Sequence, residues 1–322
     1  MHAASSVSPG LRLAVTGSSG FIGDAAVRSL RLQGHDVRRV RRGRPGTGDT
    51  PAWDPSSPDQ ADPRLEGLDG LIHCAGAGIA DRRWTSARKA VLRSSRVDAS
   101  RNLSAAIARL RRPPAAFVQC AAIGWYGDQG DRWLVESDPK GSGFLADLCA
   151  DWEHAAAGLD HLGVRRVVLR LGMVIGPGGA VAKMAPLFRR GLGGRLGDGS
   201  QWISWIALPD VVEVIRRSVT DPRLTGPVNA VTPEPITNRD FTAALAAAFS
   251  RRAWLPAPAP ALRCLAGGLA REVLLASQRC RAHALQAVGF QYQSPDLPET
   301  LKMAAIDLSR GICPRRGFAE RN

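Results

Sequence analysis

Residues Thr16-Gly17-Ser18-Ser19-Gly20-Phe21-Ile22-Gly23 place three glycines between an aliphatic run, Leu11–Thr16, and a segment with apolar residues at helical spacing, Phe21–Gln33. Glycines at this spacing have separate jobs. One permits a tight turn, one lets a pyrophosphate approach the backbone, and one lets the following helix pack on a sheet. The N–H groups that open the helix then face the anion. A glycine-rich turn alone is weak evidence, but the strand before it and the amphipathic helix after it supply the required context. A dinucleotide is therefore expected on Gly17, Ser19, Gly20, Phe21, Ile22 and Gly23, with a purely structural turn as the competing reading.

The next strand ends in Val40-Arg41-Arg42-Gly43-Arg44. An acidic residue there would bind the ribose 2′-hydroxyl of NAD. A guanidinium instead grips a 2′-phosphate through charge-assisted hydrogen bonds. Arg41 and Arg42 thus predict NADP(H), against a solvated surface run in an Arg-rich chain.

Asp36–Val40, Gly70–Ala75, Ala115–Ala122 and Arg166–Val174 read as further strands. Thr85–Arg111 predicts one or two helices with Val91, Leu92, Leu103 and Ile107 inward, and Phe144–Ala157 predicts another. Such alternation signals an α/β fold with a parallel sheet. Gly176–Gly179 marks a change of character, Gly191–Gly199 is a glycine-heavy loop, and Leu255–Pro260 is a Pro-rich connector. Residues 261–301 read as helical, and the last 20 or so have no packing pattern.

The net charge is +14, but only four of the 43 basic residues are Lys, so the excess is Arg. Those arginines are spread along the chain rather than interleaved with aromatics, which makes a nucleic-acid partner unlikely on pattern. No stretch reaches the 18 or so uncharged apolar residues of a membrane span, and Met1–Gly10 lacks a secretory pattern. The six cysteines are scattered without a Cys-x-x-Cys pair, as reduced thiols of a cytoplasmic protein would be. No metal site is expected.

Longer motifs carry a resemblance. Thr16–Gly23, Trp53-Asp54-Pro55, Arg83-Trp84, Ser95-Arg96-Val97, Ile123–Gly127, Trp152-Glu153, Gly197–Trp205 and Gly289-Phe290 together resemble the atypical, epimerase-like branch of the extended short-chain dehydrogenase/reductase superfamily, over about residues 11 to 302. The resemblance implies a Rossmann doubly wound parallel sheet with a smaller C-terminal substrate lobe. Its domains would be an N-terminal extension (1–10), an NADP-binding domain (11–180), a partly interleaved substrate lobe (181–302) and a basic tail (303–322). It further implies that Cys74, Ala75 and Gly76 lie against the cofactor ribose, that Arg96 replaces an Asn beneath the nicotinamide, and that the loop from Arg170 through Gly172 to Pro177 touches the nicotinamide half with its backbone. Trp125, Lys183, Gln201, Trp202 and Ser204 are expected to shape the pocket of a small-molecule substrate. The oligomeric state stays open, a homodimer included.

The superfamily's usual chemistry needs a Tyr that passes a proton, a Lys four residues later that lowers its pKa, and a Ser or Thr on the substrate oxygen. This chain has two tyrosines, Tyr126 and Tyr292, followed four residues later by Gly130 and Asp296. The hydroxyl position is Ala121, and Cys149 stands where the Lys would be. Tyr126 and Cys149 are the remaining catalytic candidates. Two readings follow: an NADP(H)-dependent oxidoreductase or epimerase with a non-standard proton donor, or a catalytically degenerate NADP(H)-binding regulator, some relatives having a name linked to cell division.

Overall fold

The computed structural model describes residues 10–45, 50–57 and 61–312. Of the expected N-terminal extension only Gly10 lies among them, and the tail beyond Ile312 lies outside. Six strands build the central sheet: β1 (Arg12–Thr16), β2 (Asp36–Arg39), β3 (Gly70–His73), β4 (Ala116–Ala122), β5 (Arg165–Leu171) and β6 (Gly226–Ala230). They run in the order β6-β5-β4-β3-β1-β2, and every neighbouring pair is parallel. The chain leaves β1 for β2 on one side and returns to β3 on the other. A crevice therefore opens above the carboxyl ends of β1 and β3.

The helices are α1 (Phe21–Leu32), α2 (Ser86–Arg93), α3 (Ala99–Ile107), α4 (Phe144–His154), α5 (Gly179–Arg189), α6 (Leu208–Thr220), α7 (Asn238–Ala248), α8 (Ala259–Ala266), α9 (His283–Ala287) and α10 (Leu297–Ser309). Strand alternation sends Leu13, Val15, Ile72, Val118 and Leu169 against α1 and α6, where Val27, Leu30, Val214 and Ile215 meet them. Ala14, Leu71 and Phe117 point the other way, onto Leu103 and Ile107 of α3. Ala121 and Val168 meet Leu148 and Trp152 of α4. Helices thus cover both faces, as the alternating pattern predicts.

A smaller lobe has its own core, in which Val181 and Phe188 of α5, Phe241 and Leu245 of α7, and Leu297 and Leu301 of α10 surround Trp205. Short strands join it to the main body, including the parallel pair Met173–Ile175 and Trp205–Ala207.

Three expectations need correction. Val91 is 46% exposed, because the inward face of α2 is carried by Leu92. Residues 261–301 are not continuously helical: α8 ends at Gly267 with φ +57°, and a strand, Arg279–Cys280, precedes α9. The tail does not begin at 303, since α10 runs to Ser309 with Ala304 and Ala305 buried in the lobe.

His73, fully buried, joins the two sides of the fold. Its Nδ1 lies 2.6 Å from Thr16 Oγ1 and its Nε2 3.1 Å from Ser100 Oγ, which also accepts from Trp152 Nε1 at 3.0 Å. Burial takes its pKa down to about 4. The unfolded chain binds a proton below about pH 6.5 that the native state refuses. Stability from this residue is therefore present above pH 6.5 and falls as the pH drops toward 4, by up to about 3 kcal/mol. Urea denaturation of the wild type and His73→Gln at pH 7 and pH 4.5 should show their stability difference moving by about 2 kcal/mol against the wild type at the lower pH. A pH-independent difference would assign the acid sensitivity elsewhere.

Candidate functional site

The crevice is built first by backbone. Gly17 has φ +64°, and a Cβ added there would lie 2.6 Å from the carbonyl carbon and oxygen of Cys74 and 2.7 Å from Ala75 N. A Cβ at Gly23 would lie 2.3 Å from Gly17 O, so α1 can start only this close with glycine at that position. Gly20 N donates to Gly17 O at 2.9 Å and closes the turn. No side chain caps α1. The N–H groups of Phe21, Ile22 and Gly23 open the helix and have no carbonyl four residues back within it. Ser19 and Gly20 are exposed at the crevice, whereas the backbone of Ser18 is held from behind by Arg39. That guanidinium donates to Ser18 O and, at 2.7 Å, to Asp24 Oδ1.

Beyond β2, Val40 N bonds Val15 O at 2.9 Å, which keeps the chain beside β1. Arg41 and Arg42 follow, both exposed, paired through their backbone with Ala52–Trp53. At the end of β3, Cys74 and Ala75 are half-buried and Gly76 is exposed. Arg96 reaches this floor from a π-type turn, Ser94–Asp98, that separates α2 from α3. Its guanidinium lies 3.4 Å from where a Gly76 Cβ would stand and 5.1 Å from the Trp152 ring. Burial is the largest influence on it and lowers its pKa from the ordinary value.

Phe21 links the crevice to the small lobe. Its ring fills the space that a Cβ at Gly176, Gly178 or Gly179 would need. Lys183 of α5 is ion-paired with Asp81, which lies on the loop after β3.

The Arg170 side chain and Gly172 both make interior contacts. The Arg170 side chain is 3% exposed and points into the protein, not the crevice. It clasps Glu153 through two bonds of 2.9 and 3.0 Å and stacks 4.0 Å from the Trp125 ring. Burial opposes its charge, yet the bonds to Glu153 leave its pKa raised. Gly172 serves packing: a Cβ there would lie 2.6 Å from Ser204 O.

Both catalytic candidates are sealed. Tyr126 is fully buried, its hydroxyl 2.8 Å from Asn229 Oδ1, 3.0 Å from Val135 O and 3.0 Å from Arg170 Nη1. Burial pushes its pKa up, beyond the partial relief from Arg170. Cys149 is 1% exposed, and burial, helped by the Glu153 charge, pushes its thiol up to about 12. Neither side chain is exposed at the crevice in this structure.

Of the expected pocket residues, Gln201 and Trp202 line an open cavity of about 700 Å³ with Asp128, Asp131, Asp198 and Arg263. Gln201 spends its amide N–H groups on Leu196 O and Leu274 O. Trp202 donates to Asp131 at 2.6 Å, and the Arg279 guanidinium lies 4.0 Å from its ring centre. Ser204 is instead buried between Gln278 O and Cys280 N, and Trp125 donates to Asp138 O at 3.3 Å. Sequence reasoning missed Arg39 as framework for the site. Arg39 had a signal, since it directly precedes the Val40-Arg41-Arg42 run.

The NAD dependent epimerase/dehydratase family model matches residues 13–230. The chain belongs to that family. A domain of unknown function, DUF1731, matches residues 257–304. An epimerase family protein of Mycobacterium bovis is 40% identical over 293 residues, which are 91% of this chain and 97% of the relative. The human epimerase family protein SDR39U1 is 33% identical over 296 residues, 91% of this chain and 99% of its own. A crystal structure of that human protein (isoform 2) with NADPH has a TM-score of 0.83 at 31% identity, covering 92% of this chain and 100% of the other. The sequence of this member of the family contains no Tyr-x-x-x-Lys.

Removing one partner from a buried ion pair leaves an uncompensated charge. Glu153→Gln is expected to lower unfolding stability by about 3–5 kcal/mol, read by chemical denaturation at pH 7. A loss under 1 kcal/mol would show that Arg170 finds another acceptor at once.

Proposed function

We propose that this family member binds NADP(H) in the crevice and acts as an oxidoreductase or epimerase on a carbonyl, an alcohol or a nucleotide-linked sugar. The observation that carries the reading is the uncapped start of α1, held open by Gly17 and Gly23 and flanked by exposed Arg41 and Arg42. These residues fit a doubly charged pyrophosphate and a further phosphate beside it. The human relative crystallised with NADPH supports the same cofactor.

NADPH, when bound, supplies a hydride from its nicotinamide. The chain's own residues have three tasks around it. The N–H groups of Phe21 and Ile22 hold the pyrophosphate, and Arg41 and Arg42 hold the 2′-phosphate. Arg96, over Gly76, sets a positive charge at the crevice floor, where it favours negative charge on the bound molecule. The cavity lined by Trp202, Asp128 and Asp198 would take the polar part of the substrate. With Tyr126 and Cys149 sealed, the proton at the reacting oxygen comes from water.

The sealing of those two groups also favours a second reading, an NADP(H)-binding regulator without turnover. Stopped-flow or steady-state oxidation of NADPH with a panel of aldehydes, ketones and nucleotide-linked 4-keto sugars separates the two. Oxidation that depends on the added carbonyl supports the enzyme; tight binding with no oxidation across the panel supports the regulator.

Cofactor choice has its own test. Fluorescence titration should give NADPH an affinity at least about tenfold above NADH, because one good charged hydrogen bond is worth about 1.5–3 kcal/mol. Arg41→Ala combined with Arg42→Ala should erase most of that ratio with an unchanged urea midpoint. An unchanged ratio would remove the 2′-phosphate from these two side chains.

A further inference from the structure

Two thiols meet beneath the crevice. Cys74 follows β3 and Cys120 lies in β4, the next strand, and their sulfurs are 3.2 Å apart. The ladder pairs His73 with Gln119, so one step further sets Cys74 beside Cys120 on parallel neighbours. Neighbouring strands lie about 4.8 Å apart. That spacing falls inside the Cα separation of about 4.4–6.8 Å that a disulfide spans. Cys120 is 6% exposed, whereas Cys74 is half-buried at the end of β3.

We propose that Cys74 and Cys120 form a reversible disulfide that switches the nucleotide crevice off, and that bound cofactor protects the pair. The oxidant is a low-molecular-weight disulfide. The Cys74 thiolate attacks one of its sulfurs, forming a mixed disulfide and releasing one thiol. The Cys120 sulfur then displaces the second thiol from Cys74. The protein pair loses two electrons and two protons, and the small disulfide becomes two thiols.

The link to binding is steric. Gly17 rests directly on the Cys74–Ala75 peptide, with no room for even one added carbon. β3 lies between β1 and β4, so the segment that floors the glycine turn also carries the thiol to be crosslinked, and closing the 3.2 Å gap to a bond of about 2.05 Å shifts the Cys74 side chain against that floor. Because Gly17 has no clearance over that peptide, even a small shift there disturbs the turn and the aim of the first N–H groups of α1. A cofactor lying over Cys74 blocks the oxidant's approach, which makes binding and oxidation mutually exclusive.

The consequence rests on the NADP(H) reading above, but the disulfide chemistry does not. The full chain, reduced, is incubated with oxidised glutathione with and without saturating NADPH, then alkylated and mapped by mass spectrometry. The expected product without NADPH is a crosslinked pair of peptides bearing Cys74 and Cys120, formed at least tenfold more slowly with NADPH. The oxidised protein should bind NADPH at least tenfold more weakly, with recovery on reduction by dithiothreitol. Cys120→Ala should keep the reduced protein's affinity and lose the oxidative response. Accumulation of Cys74 only as a glutathione adduct, or a crosslink that leaves NADPH affinity unchanged, would overturn the proposal. Absence of NADPH binding by the reduced wild type would instead refute the cofactor reading, whatever the crosslink map shows.

Discussion

The architecture turns on one contact between two pieces of main chain, the Gly17 backbone lying on the Cys74–Ala75 peptide. Any side chain at position 17 would collide with that peptide, and φ +64° is a conformation other residues adopt at a cost. The contact ties the end of β1 to the end of β3 just where the strand order reverses. From it follow the direction in which α1 leaves and the direction in which its leading N–H groups point. Gly23 against Gly17 O and Arg39 on Ser18 O fix the same turn from its other sides. Phe21 then carries that geometry to the small lobe by filling the hollow over Gly176, Gly178 and Gly179.

A second constraint is the buried polar web around Tyr126. Arg170 binds Glu153 of α4, the Tyr126 hydroxyl and the Glu136 carbonyl, while Asn229 of β6 meets the same hydroxyl. The web joins α4, the segment after β4, β5 and β6. Buried polar groups of this kind are costly unless every member is partnered. A phenol committed to such a web is structural cement.

The sheet, the helices on its two faces and the glycine turn were legible because strand alternation, helical spacing and turn chemistry act locally. Leu13/Ala14/Val15 and the Phe21–Leu32 stripe suffice for that part. Val91 misled because its neighbour Leu92 satisfies the same spacing, and only packing decides which of two adjacent apolar residues turns inward. The direction of Arg170 was hidden for a different reason: its partner Glu153 lies 17 positions away on another element, so no local pattern announces the pair. Tyr126 looked available from its place after β4, but its exposure depends on Asn229, 103 positions later. The same holds for Cys74 and Cys120, 46 apart, whose meeting requires the strand order.

One topological detail constrains how the protein can be divided. β6, at Gly226–Ala230, comes after α5 and α6 in the chain, yet it closes the edge of the main sheet beside β5. A fragment cut at the end of the first-half pattern, near residue 180, would leave β5 as an open border of unpaired amides and carbonyls, ready to recruit foreign strands. The nucleotide half is therefore not a detachable module. Gene fusions or split versions would have to keep the chain intact through Ala230, and the lobe is held in place by the passage of the backbone itself.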